Sequence, residues 1–168
     1  MSFERREGLL HAEAVPLTAI AERVGTPVYV YSAAMMSERY AELDAALGGA
    51  DHRLCYAVKA NSNLSVLRLF AELGAGFDIV SGGELQRVVS AGGDPARVVF
   101  SGVGKTSEEI DFALKHAVGC FNIESGSELT RLADRARLLG KTADVAVRVN
   151  PDVDAKTHPY ISTGLKEN

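Results

Sequence analysis

The sequence has no tryptophan, two cysteines and five prolines among its 168 residues. It has no apolar run near the ~18 residues that a membrane-crossing helix needs. It also has no excess of positive charge: 18 Lys+Arg stand against 22 Asp+Glu, a formal charge of −4. Each shortage excludes something. Cys55 and Cys120 are too few for a disulfide framework, and each sits in an apolar run, so both are expected to be buried, reduced thiols. The acidic balance argues against a broad nucleic-acid-binding face, and the missing apolar run against a membrane partner. The opening MSFERREGLL lacks the apolar centre of a secretory signal, so a cytoplasmic location is expected. His11, His52 and His116 show no metal-ligand spacing and no nearby Cys. No Ser-His-Asp or phosphate-loop pattern appears, so metal-dependent hydrolysis and phosphoryl transfer are poorly supported. The length alone suggests one domain.

What the sequence does contain is repetition. Leu17, Ile20, Ala21 and Val24 recur at helical spacing and Gly25 ends that helix. Residues Pro27–Tyr31 read as a strand, and Ser32 as the cap of a helix running to about Leu47. From Arg53 a pattern sets in. Apolar strands are predicted at Arg53–Val58, Gly76–Val80, Arg97–Ser101, Gly119–Ile123 and Ala143–Val149, with an amphipathic helix after each of the first four. Three of the turns carry Ser/Thr-x-x-Glu: Ser81 with Glu84, Thr106 with Glu109, and Ser125 with Glu128. In that arrangement the hydroxyl accepts the third helical N–H and the Glu reaches back to the cap's own N–H. Ser81, Thr106 and Ser125 are therefore read as helix caps rather than catalysts.

Lys59, Asp78, Ser101, Glu124 and Arg148 mark the strand ends, at steps of 19, 23, 23 and 24 residues. That spacing is a run of βα units with a parallel sheet. No Gly-x-Gly-x-x-Gly follows the first strand, which weakens a dinucleotide-binding open sheet. A polar residue at every strand end favours a (β/α)8 barrel, where functional groups gather at that rim. Only about five of the eight βα units can be counted, so the fold class is α/β, a partial TIM-like barrel, and the chain is expected to be a fragment. Lys59 in this position is either a solvated or salt-bridged lysine or, in a partly dry cleft, a carbonyl-reactive amine.

Tyr56-Ala57-Val58-Lys59-Ala60-Asn61, followed by Gly76-Phe77-Asp78-Ile79-Val80-Ser81-Gly82-Gly83-Glu84, resembles the pyridoxal-phosphate-dependent decarboxylases built on an alanine-racemase-like barrel. Val147-Arg148-Val149-Asn150-Pro151 matches as a third motif. Lys156 to Asn168 resembles the branch of that family that acts on diaminopimelate. An alanine racemase would have Tyr-Gly-His-Gly soon after Lys-Ala-Asn, where this sequence has Ser62-Asn63-Leu64-Ser65.

The resemblance implies pyridoxal 5'-phosphate held covalently by Lys59. It also implies Asp78 close to that lysine and the cofactor, and Arg148 beneath the cofactor. Read from the residues alone, Asp78 could instead bond local N–H groups at a helix entry, and Arg148 could pair with Asp78 or Glu124. His158 lies in a proline-flanked loop and reads equally as an active-site or a plain loop residue. The implied reaction is decarboxylation of meso-diaminopimelate to L-lysine by a cytoplasmic homodimer acting on a small amino acid. The alternatives are a sibling ornithine, arginine or carboxynorspermidine decarboxylase, or a non-catalytic pyridoxal-phosphate-binding barrel. Residues 1–27 are expected to serve a β domain outside the chain, with the strand near Leu9–Val15 left unpaired. Residues 28–168 are expected to form the incomplete barrel domain.

Overall fold

Short apolar runs that cannot bury both faces alone pair in parallel and take helices over one side. The computed structural model describes residues 3–152. The motif at 156–168, with His158, lies outside the described residues. Strands β4 (Cys55–Ala57), β5 (Gly76–Ile79), β6 (Val98–Phe100), β7 (Cys120–Ile123) and β8 (Val145–Val147) form one sheet in chain order, every neighbouring pair parallel. Helices α3 (Leu64–Glu72), α4 (Gly82–Ser90), α5 (Ser107–Lys115) and α6 (Gly126–Leu139) connect them, and α2 (Ala33–Ala46) precedes the sheet. Five successive βα-type strands in this order are a partial barrel.

The strand pleat sends alternate residues to opposite faces. Phe77, Ile79, Val98, Phe100, Phe121 and Ile123 are buried with Leu85, Val88, Ile110 and Leu132 of the helices. The residues between them on the strands, Asp78, Val99, Cys120 and Asn122, stand on the face away from the helices and are only half-buried. One face of the sheet is thus the apolar core, and the other carries the polar residues that bear on function.

Backbone crowding dictates one glycine. At Gly119, entering β7, a Cβ would lie 2.2 Å from the Ala96 carbonyl oxygen. At the far end of α6, Gly140 adopts φ 62°, the left-handed cap that ends a helix without a Cβ clash.

Several expectations need correction. Pro27–Tyr31 is not a strand. Its composition suits one, but no described strand lies beside it to supply a ladder, and Tyr29 is 89% exposed. The N-terminal strand is not unpaired. β1 (Phe3–Arg6), β2 (Leu9–Ala12) and β3 (Val15–Pro16) form an antiparallel sheet of their own, followed directly by α1 (Leu17–Val24). Glu13 ties this unit to the rest. Its carboxylate accepts from the Ser32 hydroxyl at 2.7 Å and the Ala34 N–H at 3.0 Å, at the start of α2. The first barrel strand is shorter than expected, and Val58–Ala60 is a 3-10 turn. Cys55 is exposed rather than buried, because it lies on the edge strand β4 and on the face away from the helix layer. Cys120 is half-buried, and burial pushes both thiols up from their ordinary pKa.

Candidate active site

The strand-end rim begins at Lys59. Tyr56 stacks on Phe70 with ring centroids 4.3 Å apart, and its hydroxyl donates to the Asn61 carbonyl at 3.2 Å. Val58 is fully buried. These two anchors hold the turn on which Lys59 rides, while Lys59 itself is exposed and makes no hydrogen bond or ion pair among the described residues. An unpaired primary amine held on a fixed turn is available to a carbonyl carbon.

Asp78 sits one strand over, in register with Ala57. Its carboxylate accepts from the Ser101 hydroxyl at 2.6 Å, and Ser101 in turn accepts from the Asn122 side-chain amide at 3.0 Å. Of the readings open for Asp78, bonding to local helix-entry N–H groups does not occur, and no ion pair joins it to Lys59. Arg148 takes one of the alternatives left to it, donating to Glu124 at 3.1 Å. Glu124 accepts from the Gly102 N–H at 3.0 Å with its other oxygen. The rim thus holds two polar groups, Asp78–Ser101–Asn122 and Gly102–Glu124–Arg148, on neighbouring strands.

The three helix caps are as expected at one end only. Ser81, Thr106 and Ser125 each accept the N–H three residues on. Only Glu109 reaches back to its own cap, Thr106. Glu84 and Glu128 instead accept from Val80 and Glu124, one residue before the cap, at 2.7 and 2.8 Å. Those two carboxylates thereby fix the last turn of each strand end rather than the cap residue.

The sequence model of the family described as pyridoxal-dependent decarboxylase, pyridoxal binding domain, matches residues 33–168. This chain belongs to that family. It is 62% identical to the diaminopimelate decarboxylase of Pseudomonas aeruginosa over 99% of its own length. Among solved structures it resembles diaminopimelate decarboxylase from Helicobacter pylori complexed with L-lysine, at 47% identity over 90% of this chain, with a TM-score of 0.87. A more distant likeness, 28% identical over 89% of this chain with a TM-score of 0.73, is to SrLDC in complex with PLP and cadaverine. The chain spans about 40% of the length of these curated relatives and 39% and 36% of the two structures.

The residues fit the family's cofactor at its aldehyde end. An amine without a partner among the described residues stands at Lys59, and hydrogen-bonding groups from β5, β6 and β7 stand on one face of the sheet. Two polar residues of this region are absent from the sequence reading. Asn122 was within reach of it: it lies two positions before Glu124 and so shares its face of β7. Lys105, in a Gly-Val-Gly-Lys loop, carries no signal of burial, yet it is only 2% exposed.

Proposed function

We propose that the protein carrying this chain decarboxylates diaminopimelate to lysine and CO2 with pyridoxal phosphate bound at Lys59. The observation that carries the reading is the Lys59 amine, without a partner among the described residues, on the same rim as the Asp78–Ser101–Asn122 group. The choice of substrate is supported by the 62% identity to a diaminopimelate decarboxylase.

When bound, pyridoxal phosphate supplies an electron sink for the carbanion left as CO2 departs. The chain's own residues do the rest. Lys59 is the residue that would hold the cofactor, through its side-chain amine on the turn after β4. The Asp78 carboxylate, on the neighbouring strand and held by the Ser101 hydroxyl, would offer the Lys59 ammonium a negative charge on that rim. Arg148, fixed by Glu124, presents a permanent positive charge to an anionic oxygen of cofactor or substrate. The same reading makes the protein a cytoplasmic homodimer, with residues 1–27 belonging to a β domain. No helix among the described residues is long and apolar enough to cross a membrane.

The test is reductive trapping. Pyridoxal phosphate is added, borohydride fixes the adduct, and peptide mass spectrometry locates it. Diaminopimelate is then added to unreduced protein and CO2 and lysine are measured. The expected result is a pyridoxyl group on Lys59 and release of both products. No adduct at Lys59 overturns its role. An adduct with CO2 from ornithine or arginine but not from diaminopimelate assigns the sibling activity, and an adduct with no CO2 from any of them leaves a non-catalytic binder.

A further inference from the structure

Lys105 is the only buried lysine among the described residues. Its ammonium has three N–H donors, and all three are used: the Gly102 carbonyl at 2.7 Å, the Asn122 carbonyl at 2.8 Å and Glu128 Oε1 at 2.6 Å. It also lies 5.5 Å from the centre of the Phe100 ring, on its face. The other Glu128 oxygen accepts the Glu124 N–H at 2.8 Å. From this one buried pair, bonds reach the main chain just past β6, at Gly102, and the end of β7, at Asn122 and Glu124.

A buried ion pair is weak support for stability, because an apolar pair of the same volume often serves the fold as well. Placement is what this pair supplies. Gly102 has φ 95° and Val103, next to it, is 82% exposed, so the loop has a free tip and a pinned base. Ser101, Asn122 and Glu124 all project from the backbone that the pair holds, and Arg131 fixes the pair from behind by donating to the Lys105 carbonyl at 3.0 Å.

We propose that Lys105, with Glu128, is a positioning residue for the reaction: its ammonium sets the strand-end backbone from which Ser101, Asn122 and Glu124 reach the Lys59 rim. The proposal rests on the reading of that rim as the cofactor site.

The experiment compares wild type, Lys105→Met and the double variant Lys105→Met/Glu128→Gln, in the protein that carries this chain. Amide hydrogen exchange is followed without cofactor, Tm is measured, and kcat and KM are taken with pyridoxal phosphate and diaminopimelate. Lys105→Met should speed exchange at residues 101–104 and 122–125 about tenfold or more while the helices keep their protection. It should lower kcat about 10- to 100-fold with KM nearly unchanged, the size of loss that a displacement near 1 Å brings. The double variant removes the orphaned carboxylate, so Tm should recover while kcat and local exchange do not; it also serves if the single variant fails to fold. Unchanged exchange and kcat in Lys105→Met overturn the proposal. So does recovery of kcat together with Tm in the double variant, which marks a purely structural pair. If wild type forms no adduct at Lys59, the functional reading fails instead, and the exchange data still decide what Lys105 holds.

Discussion

Asn122 donates its side-chain amide to the hydroxyl of Ser101 across 3.0 Å, and this bond fixes the proton order on the rim. An ionised Asp78 can only accept, so the single hydroxyl proton of Ser101 must point to it across their 2.6 Å contact. Ser101 then has only lone pairs to offer Asn122, which must present its NH2. Ser101→Ala removes the middle of this chain and leaves the half-buried Asn122 amide without its acceptor. The expected cost is about 1–3 kcal/mol in urea unfolding, together with a loss of kcat/KM once Asp78 is no longer held. A variant with wild-type stability and activity would show that the chain carries neither.

Lys59 makes the opposite prediction. It is exposed and touches no partner among the described residues, so Lys59→Ala should change stability by no more than about 0.5 kcal/mol. The same variant should lose the borohydride-fixed pyridoxyl group completely. Thermal unfolding and peptide mass spectrometry on one preparation separate the two effects. A large drop in Tm would mean that Lys59 serves the fold.

The parts of this architecture written in local sequence were legible in it. β5 to β7 and the helices α4 to α6 could be read because each apolar run is followed by a hydroxyl cap, and α3 and β8 from their apolar runs alone. Parts that depend on a partner elsewhere were not. Pro27–Tyr31 has a strand's composition, but a strand exists only beside another, and nothing in five residues states whether a neighbour is there. Glu84 and Glu128 could each bond one of two adjacent N–H groups, and the spacing of four residues is as compatible with the residue before the cap as that of three is with the cap itself. Lys105 finds its partners 17 and 23 residues away, on a different strand and a different helix. Lys59, Asp78 and Arg148 were visible as strand ends, and Glu124 as one of two possible partners of Arg148, while the Ser101–Asn122 pair that holds Asp78 emerges only when neighbouring strands are in register.

Gly119→Ala tests the closeness of the β7 entry to the preceding loop. The obstructing atoms are backbone, the Ala96 carbonyl at 2.2 Å and the Val98 carbonyl oxygen at 3.3 Å, so no side-chain rotation relieves the clash. The expected loss is about 1–3 kcal/mol in urea unfolding, with the β6–β7 pairing as the first casualty in hydrogen exchange. An unchanged midpoint would mean that the strand entry shifts freely.

Glu109 bridges two helix starts, accepting from the Gly82 N–H at 2.7 Å with one oxygen and from the Thr106 N–H at 3.0 Å with the other. Burial pushes its carboxyl up, but the hydrogen bonds from Thr106 and Gly82 outweigh burial and hold it below its ordinary value of 4.5. A carboxylate depressed in the folded state stabilises the fold above its unfolded pKa and loses that contribution as pH falls through the folded one. Glu109→Gln keeps the shape but turns an NH2 toward one of the two N–H donors. At neutral pH it should cost about 1 kcal/mol, as lost helix caps do. The difference in Tm between wild type and variant should hold steady from pH 7 to about 5 and narrow as the pH drops below 4.5, when the wild-type carboxylate takes up its proton. A gap that stays constant down to pH 3 would show that the charge of Glu109 contributes nothing to holding α4 and α5 together.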